Sequence, residues 1–253
     1  MQIEPAAEPY IKRFIGSQEY INNEKRYCLW LVEIDPAQLK RMPHVLKRIE
    51  AVKQMRLNST SSTTQAAASH PARFFTVAQP DTDYLVLPEV SSERRQYIPI
   101  GFMPKDVIAS NKCLFISNAS LYLFGVLNST MHMAWVRCVS GRLELRYQYS
   151  ASIVYNNFSF PPEPSEKVKN AIEQAAQNIL VAREKFPNSA LADLYDPLTM
   201  PSELVKAHQR LDKAVEAAYG RTFTDDSQRV AFLFELYQKL TGELFVKGRR
   251  RNR

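Results

Sequence analysis

The chain opens dense in large side chains, with Tyr10, Phe14, Ile15, Tyr20, Tyr27 and Trp30 leading into an apolar run at residues 29–34 that reads as a buried strand. Asp35-Pro36 then predicts a helix start. Between residues 36 and 57, Leu39, Met42, Leu46, Ile49 and Val52 recur every three or four positions, with Lys40, Arg41, Lys47, Arg48 and Lys53 between them. That spacing predicts an amphipathic helix with a basic outer face, interrupted or restarted near Pro43. Residues 58–72 are small and polar with no apolar period, and predict a mobile surface loop. Short strands are expected at 84–87, 96–100, 113–116 and 143–149, set apart by Pro, Ser, Asn and Gly. Residues 121–138 keep helical spacing instead, through Phe124, Leu127, Met131, Trp135 and Cys138.

The pattern changes at Phe160-Pro161-Pro162-Glu163-Pro164. Beyond it Ser165 can cap a helix running to about Phe186, a second runs from Ser202 to Tyr219 and stops at Gly220, and a third covers residues 225–240. The expected fold is α+β: a mixed sheet with flanking helices over residues 1–160, then an all-α helical domain over 161–246, then a basic, disordered tail over 247–253.

Composition adds only bounds to this picture. With 253 residues and 45% hydrophobic content, the chain can bury one sizeable core or two small ones. The formal charge of +7 favours polyanionic partners without distinguishing nucleic acid from a membrane surface. Its distribution is more informative. Residues 1–160 hold 18 Lys and Arg against 13 Asp and Glu, whereas five of the 15 cations in the remainder fall in the tail. The basic surface therefore belongs to the strand-rich part. Cys28, Cys113 and Cys138 are widely spaced, odd in number and set in apolar or mixed runs, so they read as reduced core residues. No apolar run is long enough to span a bilayer and the start lacks a signal peptide's pattern, so a cytoplasmic protein with no membrane partner is expected.

The chain shows none of the usual reaction centres. Gly-x-Gly-x-x-Gly, the phosphate-loop Gly-Lys-Ser/Thr and Gly-x-Ser-x-Gly are all missing from the sequence. His44, His70, His132 and His208 have no zinc-type spacing. The Asn/Asp-Pro-Pro-aromatic loop with which adenine methylation holds a flipped base is also missing, since Pro161-Pro162 follows Phe160 and precedes Glu163. No nuclease-type Asp with a nearby Glu-x-Lys occurs either.

The most informative constellation is Gly141-Arg142-Leu143-Glu144-Leu145-Arg146-Tyr147-Gln148-Tyr149-Ser150. As one strand, period two puts Arg142, Glu144, Arg146 and Gln148 on one face and Leu143, Leu145, Tyr147 and Tyr149 on the other. Arg, Gln and Glu heads match the major-groove edges of guanine, adenine and cytosine respectively. A solvated sheet face laced by weak Arg–Glu pairs is the competing reading of the same residues. Arg94 and Arg95 suit phosphate or base contact or a plain surface turn. Lys112 suits a base reader or a solvated lysine. Ser152, Tyr155, Asn156 and Asn157 suit phosphate or sugar contact or strand capping.

Several longer runs resemble the target-recognition domain of MmeI-like DNA methyltransferases, the large single-chain restriction-modification enzymes that methylate adenine. They include residues 10–23 and 26–31, Ser91-Ser92-Glu93-Arg94-Arg95 with Tyr97-Ile98-Pro99-Ile100-Gly101, and His132-Met133-Ala134-Trp135-Val136-Arg137. Gly141-Arg142-Leu143, Tyr149-Ser150 and Val154-Tyr155-Asn156-Asn157-Phe158 extend the match. In the helical part it continues through residues 191–201, Ala207-His208 and Asp212-Lys213-Ala214-Val215.

The resemblance implies a module that reads double-stranded DNA in the major groove and carries no catalysis or cofactor of its own. A separate methyltransferase domain would bind S-adenosylmethionine, and a nuclease domain, where one is present, would need magnesium. The chain is then expected to be a piece of a longer enzyme, with that methyltransferase domain as its protein partner. Glu144, Arg146, Gln148, Lys112 and Arg142 become the expected base readers. Arg94, Arg95, Arg137, Tyr155 and Asn156 become the expected backbone or positioning contacts. The alternative is a scaffolding piece that docks onto the methyltransferase domain with little DNA binding alone.

Overall fold

The computed structural model describes residues 4–250, with side chains described through Gly242. A 3-10 turn at Pro5–Tyr10 enters strand β1 (Ile11–Ile15) and helix α1 (Ser17–Asn22), and β2 (Tyr27–Leu29) returns antiparallel to β1. The strand expected at 29–34 ends at Leu29, because the Ile34 amide turns back to the Leu31 carbonyl at 3.4 Å. Leu31 instead packs with Ala7, Met42 and Val45 in a small cluster. Helix α2 (Pro36–Leu39) is capped by Asp35, whose carboxylate accepts from the Ala37 amide at 2.8 Å, and α3 (Pro43–Leu57) restarts at Pro43 as the pattern predicts.

The polar segment 58–72 is not the mobile loop its composition suggests. It forms helix α4 (Ser62–Ala66) and a 3-10 turn at Ala67–Ser69, wrapped around the buried guanidinium of Arg56. Arg56 donates to the carbonyls of Ala67 at 2.9 Å, His70 at 3.0 Å and Arg73 at 2.7 Å. A single fork of donors thus replaces the apolar core that this segment lacks.

Strand β3 (Tyr84–Pro88), buried throughout, leads to the short β4 (Val90–Ser91). The strand expected at 96–100 is irregular: Pro99 offers no donor, and the carbonyls of Gln96 and Ile100 accept from Arg137 and Arg183 rather than from a ladder. Strand structure resumes with β5 (Gly101–Met103), β6 (Ile108–Ala109) and β7 (Cys113–Ser117). Three small sheets result, with orders β2-β1-β6 and β5-β3-β7 and a third built on β4; β6 runs parallel to β1.

The helix expected at 121–138 is two helices, α5 (Leu121–Leu127) and α6 (Thr130–Val139). Ser129 breaks it by capping the second, accepting from the His132 amide at 3.3 Å. Strands β8 (Gly141–Leu143) and β9 (Arg146–Gln148) and a π-helical turn at Ala151–Tyr155 complete the strand-rich part. Helices α7 (Glu166–Glu184), α8 (Leu191–Leu194), α9 (Ser202–Ala218) and α10 (Asp226–Arg250) follow, with Gly220 at φ 67° ending the turn after α9. Part of the expected disordered tail, residues 247–250, continues α10, and 251–253 lie outside the described residues. Of the cysteines, Cys113 is buried and Cys28 half-buried, whereas Cys138 is exposed and not a core residue.

The fold is mixed α+β with a helical C-terminal region. One hydrophobic cluster runs through both, joining Leu85, Phe124, Trp135 and Tyr149 to Ile172, Leu204, Leu211 and Leu233. Helices α5 and α7 approach so closely at Gly125 that a Cβ there would meet the Ile172 methyl at 2.7 Å.

Two outcomes are expected. Arg56→Met should open the 58–73 segment to protease within the folded protein, because three carbonyls lose their only fork of donors; an unchanged cleavage pattern in limited proteolysis would contradict this. His132 is fully buried, and burial pushes its pKa down to about 4. Between pH 6.5 and that value the unfolded chain takes up a proton that the folded one refuses, so stability falls with pH by on the order of 3 kcal/mol from this group. Replacing His132 with Gln should flatten urea-unfolding stability over that window relative to the parent chain, and an equally steep dependence would remove His132 as its source.

Candidate nucleic-acid interface

Strands β8 and β9 form a hairpin with Leu143 opposite Arg146, Arg142 opposite Tyr147 and Gly141 opposite Gln148, so Glu144 and Leu145 make the turn. Glu144 adopts φ 58°, the left-handed backbone that the first turn position of a type II′ hairpin requires. The single strand expected over 143–149 is thus folded back on itself. Residues directly opposite share a face in an antiparallel pair. Arg142 therefore lies with Tyr147, while Leu143, Arg146 and Gln148 lie on the other side.

This corrects the place of Arg142. Its guanidinium carbon sits 4.0 Å from the centroid of the Tyr147 ring, and it donates to the Leu145 and Arg137 carbonyls at 3.3 Å each. It braces the hairpin against α6 instead of sharing a face with Arg146 and Gln148.

The hairpin is rooted on two buried tyrosines. β9 is the central strand, flanked by β8 and by β4, whose Val90 and Ser91 pair with Gln148 and Tyr147. Just beyond β9, the Tyr149 hydroxyl donates to His132 Nε2 at 3.0 Å, and His132 Nδ1 donates to the Leu127 carbonyl at 2.8 Å. Burial raises the Tyr149 pKa, holding the hydroxyl as a donor.

At the tip, Arg146 Nη2 lies 2.8 Å from Glu144 Oε2, and both side chains face solvent. Leu143 and Leu145, which a single strand would put on the face of Tyr147 and Tyr149, are 45% and 73% exposed beside that pair. Gln148 is half-buried and lies over Gly141. Lys112 joins the same region: its ammonium is 3.5 Å from Glu89, whose carbonyl accepts from the Tyr149 amide at 2.8 Å.

The expected backbone contacts are more dispersed. Arg94 and Arg95 follow β4 at the edge of the hairpin sheet. Arg94 is exposed, with Asp196 at 4.0 Å, whereas Arg95 is half-buried with Nε unpartnered, and burial disfavours its charged form. Arg137 has an internal task, pairing with Asp226 of α10 at 2.7 Å and donating to the Gln96 carbonyl at 3.0 Å. Tyr155 and Asn156 close the π-helical turn, Tyr155 edge-on to Phe160 at 5.8 Å and Asn156 exposed. Two residues were given no site role from the sequence. Leu145 stands at the exposed tip, and Ser91 is a buried hydroxyl without a partner beside Tyr147. A two-residue strand is too short to show the period that would have marked Ser91.

Two cavities among the described residues do not suit S-adenosylmethionine. One, of about 690 Å³, has a basic wall, and its only carboxylate, Glu4, is taken by the amides of His44 and Val45 at 3.1 and 3.0 Å. The other, of about 270 Å³, is aromatic, and its Gln79 amide is spent on the backbone of Lys105, Val107 and Ala109. Neither offers a Gly-rich turn or an acid placed for a ribose. Among the described residues no helix is long and apolar enough to cross a membrane.

Comparison with known proteins places this architecture. The profile described as MmeI, target recognition domain matches residues 1–162, and that of MmeI, C-terminal domain matches residues 164–245. DNA methyltransferase A of Bacillus subtilis (strain 168) is 44% identical over 238 residues, covering 94% of this chain and 27% of that protein. The solved structure of the Type IIL restriction-modification enzyme MmeI in complex with DNA matches with a TM-score of 0.93 at 53% identity, over 95% of this chain and 32% of that one. The chain therefore spans only about a third or less of the length of these relatives. With the first profile covering more than half of its residues, the protein belongs to the MmeI target-recognition family, here joined to the MmeI C-terminal domain.

Proposed function

We propose that this chain reads base sequence in the major groove of double-stranded DNA, as the specificity part of an adenine-methylating restriction-modification enzyme. The observation that carries the reading is the Glu144–Arg146 pair at 2.8 Å on an exposed hairpin tip whose root is locked by Tyr147 and Tyr149. A carboxylate that holds a guanidinium plane in place gives bidentate donors a fixed direction, and the same carboxylate can accept from the amino group of cytosine. Gln148, on the Arg146 face, and Lys112, beside the root, extend the reading surface. The family match and the likeness to MmeI in complex with DNA support the same assignment.

Arg94, Arg95, Tyr155 and Asn156 flank the sheet as phosphate or positioning contacts. Arg142 and Arg137 act one step back, bracing the hairpin and α6. S-adenosylmethionine, and magnesium where a nuclease is present, belong to the remainder of the enzyme, which is the chain's protein partner. A cytoplasmic location follows from a DNA substrate.

Selection from a random duplex library should return a defined motif for this chain. Glu144→Gln with Arg146→Gln should change or relax the preferred pair at one position, since a bidentate contact discriminates by about 1–3 kcal/mol. An unchanged motif would remove the tip from the reading surface, and no duplex binding even at low salt would favour a scaffold that only docks onto the methyltransferase domain. Arg142→Ala, which touches no base in this scheme, should broaden the motif at several positions by loosening the hairpin; sharp selectivity in that variant would contradict its bracing role.

A further inference from the structure

Between residues 40 and 56 the chain carries six cations, Lys40, Arg41, Lys47, Arg48, Lys53 and Arg56, against one carboxylate, Glu50. Arg56 is spent on backbone carbonyls, and Lys53 lies 4.0 Å from Glu50. Among the described residues no carboxylate lies within 4.0 Å of Lys40, Arg41, Lys47 or Arg48. None of these four belongs to the hairpin surface.

Two of them line the 690 Å³ groove. Its wall on α3 is formed by His44, Lys47, Arg48 and Ala51, spaced as one helical face, and its opposite wall by Tyr27 and Cys28 of the edge strand β2. The one acid at its floor, Glu4, is engaged at the N-terminus of α3, accepting from the His44 and Val45 amides. The groove therefore presents two cations against one engaged carboxylate, a net positive charge in a concave, solvent-open channel.

We propose that this groove is a second DNA contact, a cradle for the phosphodiester backbone of duplex flanking the recognised site. The proposal rests on the reading of the chain as a DNA reader and extends it to a surface with no part in base recognition. Lys47 and Arg48 are exposed and held by no partner that would fix a fork, so they suit phosphate charge, not the edge of a base. The groove is also near enough to the hairpin for one duplex to serve both. Ile11 lines it at the start of β1, and past the far end of β1 the Ser17 hydroxyl donates to the Lys112 carbonyl and accepts from the Glu89 amide at 3.1 Å. Extended chain advances roughly 3.3 Å per residue, which puts the groove within roughly 20 Å of the Lys112 corner. That is about six base pairs at 3.4 Å per step.

The test uses the full chain and a 30-bp mixed-sequence duplex, with affinity followed by fluorescence anisotropy between 50 and 200 mM salt. Lys47→Gln with Arg48→Gln should weaken binding on the order of ten-fold near 100 mM salt and reduce the log–log salt slope by about 2, because each neutralised phosphate contributes about 0.9. The motif returned by duplex selection should not change. An unchanged slope with an unchanged motif overturns the cradle and leaves the hairpin reading intact. Sequence-blind binding by the parent chain that still loses slope in the double variant overturns the hairpin reading and leaves the cradle. A double variant that binds DNA normally but no longer associates with the remainder of the enzyme assigns the groove to a protein partner and overturns the proposal.

Discussion

Asp212 lies on α9, in the helical part of the chain, yet both of its oxygens are taken by the strand-rich part. Oδ2 accepts from the Tyr97 hydroxyl at 2.7 Å, and Oδ1 accepts from the amide of Thr130, the first residue of α6, at 2.7 Å. Burial raises the Asp212 pKa, and the hydrogen bonds from Tyr97 and Thr130 pull against it. A carboxylate in this position works only if both partners are present, since a buried acid stripped of its donors is strongly destabilising. The Tyr97 ring also stacks on His208 of the same helix at 3.9 Å between centroids. His208 in turn meets the Tyr195 hydroxyl at 2.9 Å, and Arg183 ties Tyr195 to the Ile100 carbonyl. The two parts of the chain are therefore joined by a polar network within a shared apolar core.

The hairpin inherits its position from that junction. Asp212 fixes the N-terminus of α6, where a negative charge also complements the helix dipole. Arg137 fixes its last turn to Asp226 of α10, and Arg142 then ties the first hairpin strand to the Arg137 carbonyl. From the first turn of α6, His132 holds the strand exit through Tyr149. The helix is pinned at both ends by the C-terminal part and holds the hairpin at both of its strands. The helical region thus acts as the frame that sets where the hairpin tip stands.

What was legible in the sequence follows the range of the interactions involved. The helices at 43–57, 166–184 and 202–218 announce themselves because their apolar spacing and their Pro, Ser and Gly boundaries are local. The break between α5 and α6 is only half visible, because Ser129 is a local cap while the second acceptor at this helix start, for the Thr130 amide, lies 82 residues away in Asp212. Nothing in the local pattern marks Arg56, and only the folded path of residues 67–73 shows it to be the core of that segment. The hairpin was the most consequential omission. Leu143-Glu144-Leu145-Arg146 has none of the Gly, Asn or Asp that marks a two-residue turn, so strict alternation was the natural reading. It placed Glu144, Arg146 and Gln148 in one neighbourhood as the structure does, but assigned Arg142 the wrong face and hid both leucines of the tip.

A turn without its usual glycine also bears on how the tip works. Holding Glu144 at φ 58° is a local strain that a non-glycine residue sustains only where surrounding contacts enforce it. Here the enforcement comes from below, through the Tyr147 stack, the Arg142 bonds to the Leu145 and Arg137 carbonyls, and the Tyr149–His132 pair. None of those contacts uses the side chain of Glu144, Leu145 or Arg146. The exposed side chains of the tip are thus separate from the contacts that hold the hairpin, and exposed substitutions away from buried networks cost little stability. Such a division lets the tip change by substitution while Asp212, His132 and the paired tyrosines keep the hairpin in place.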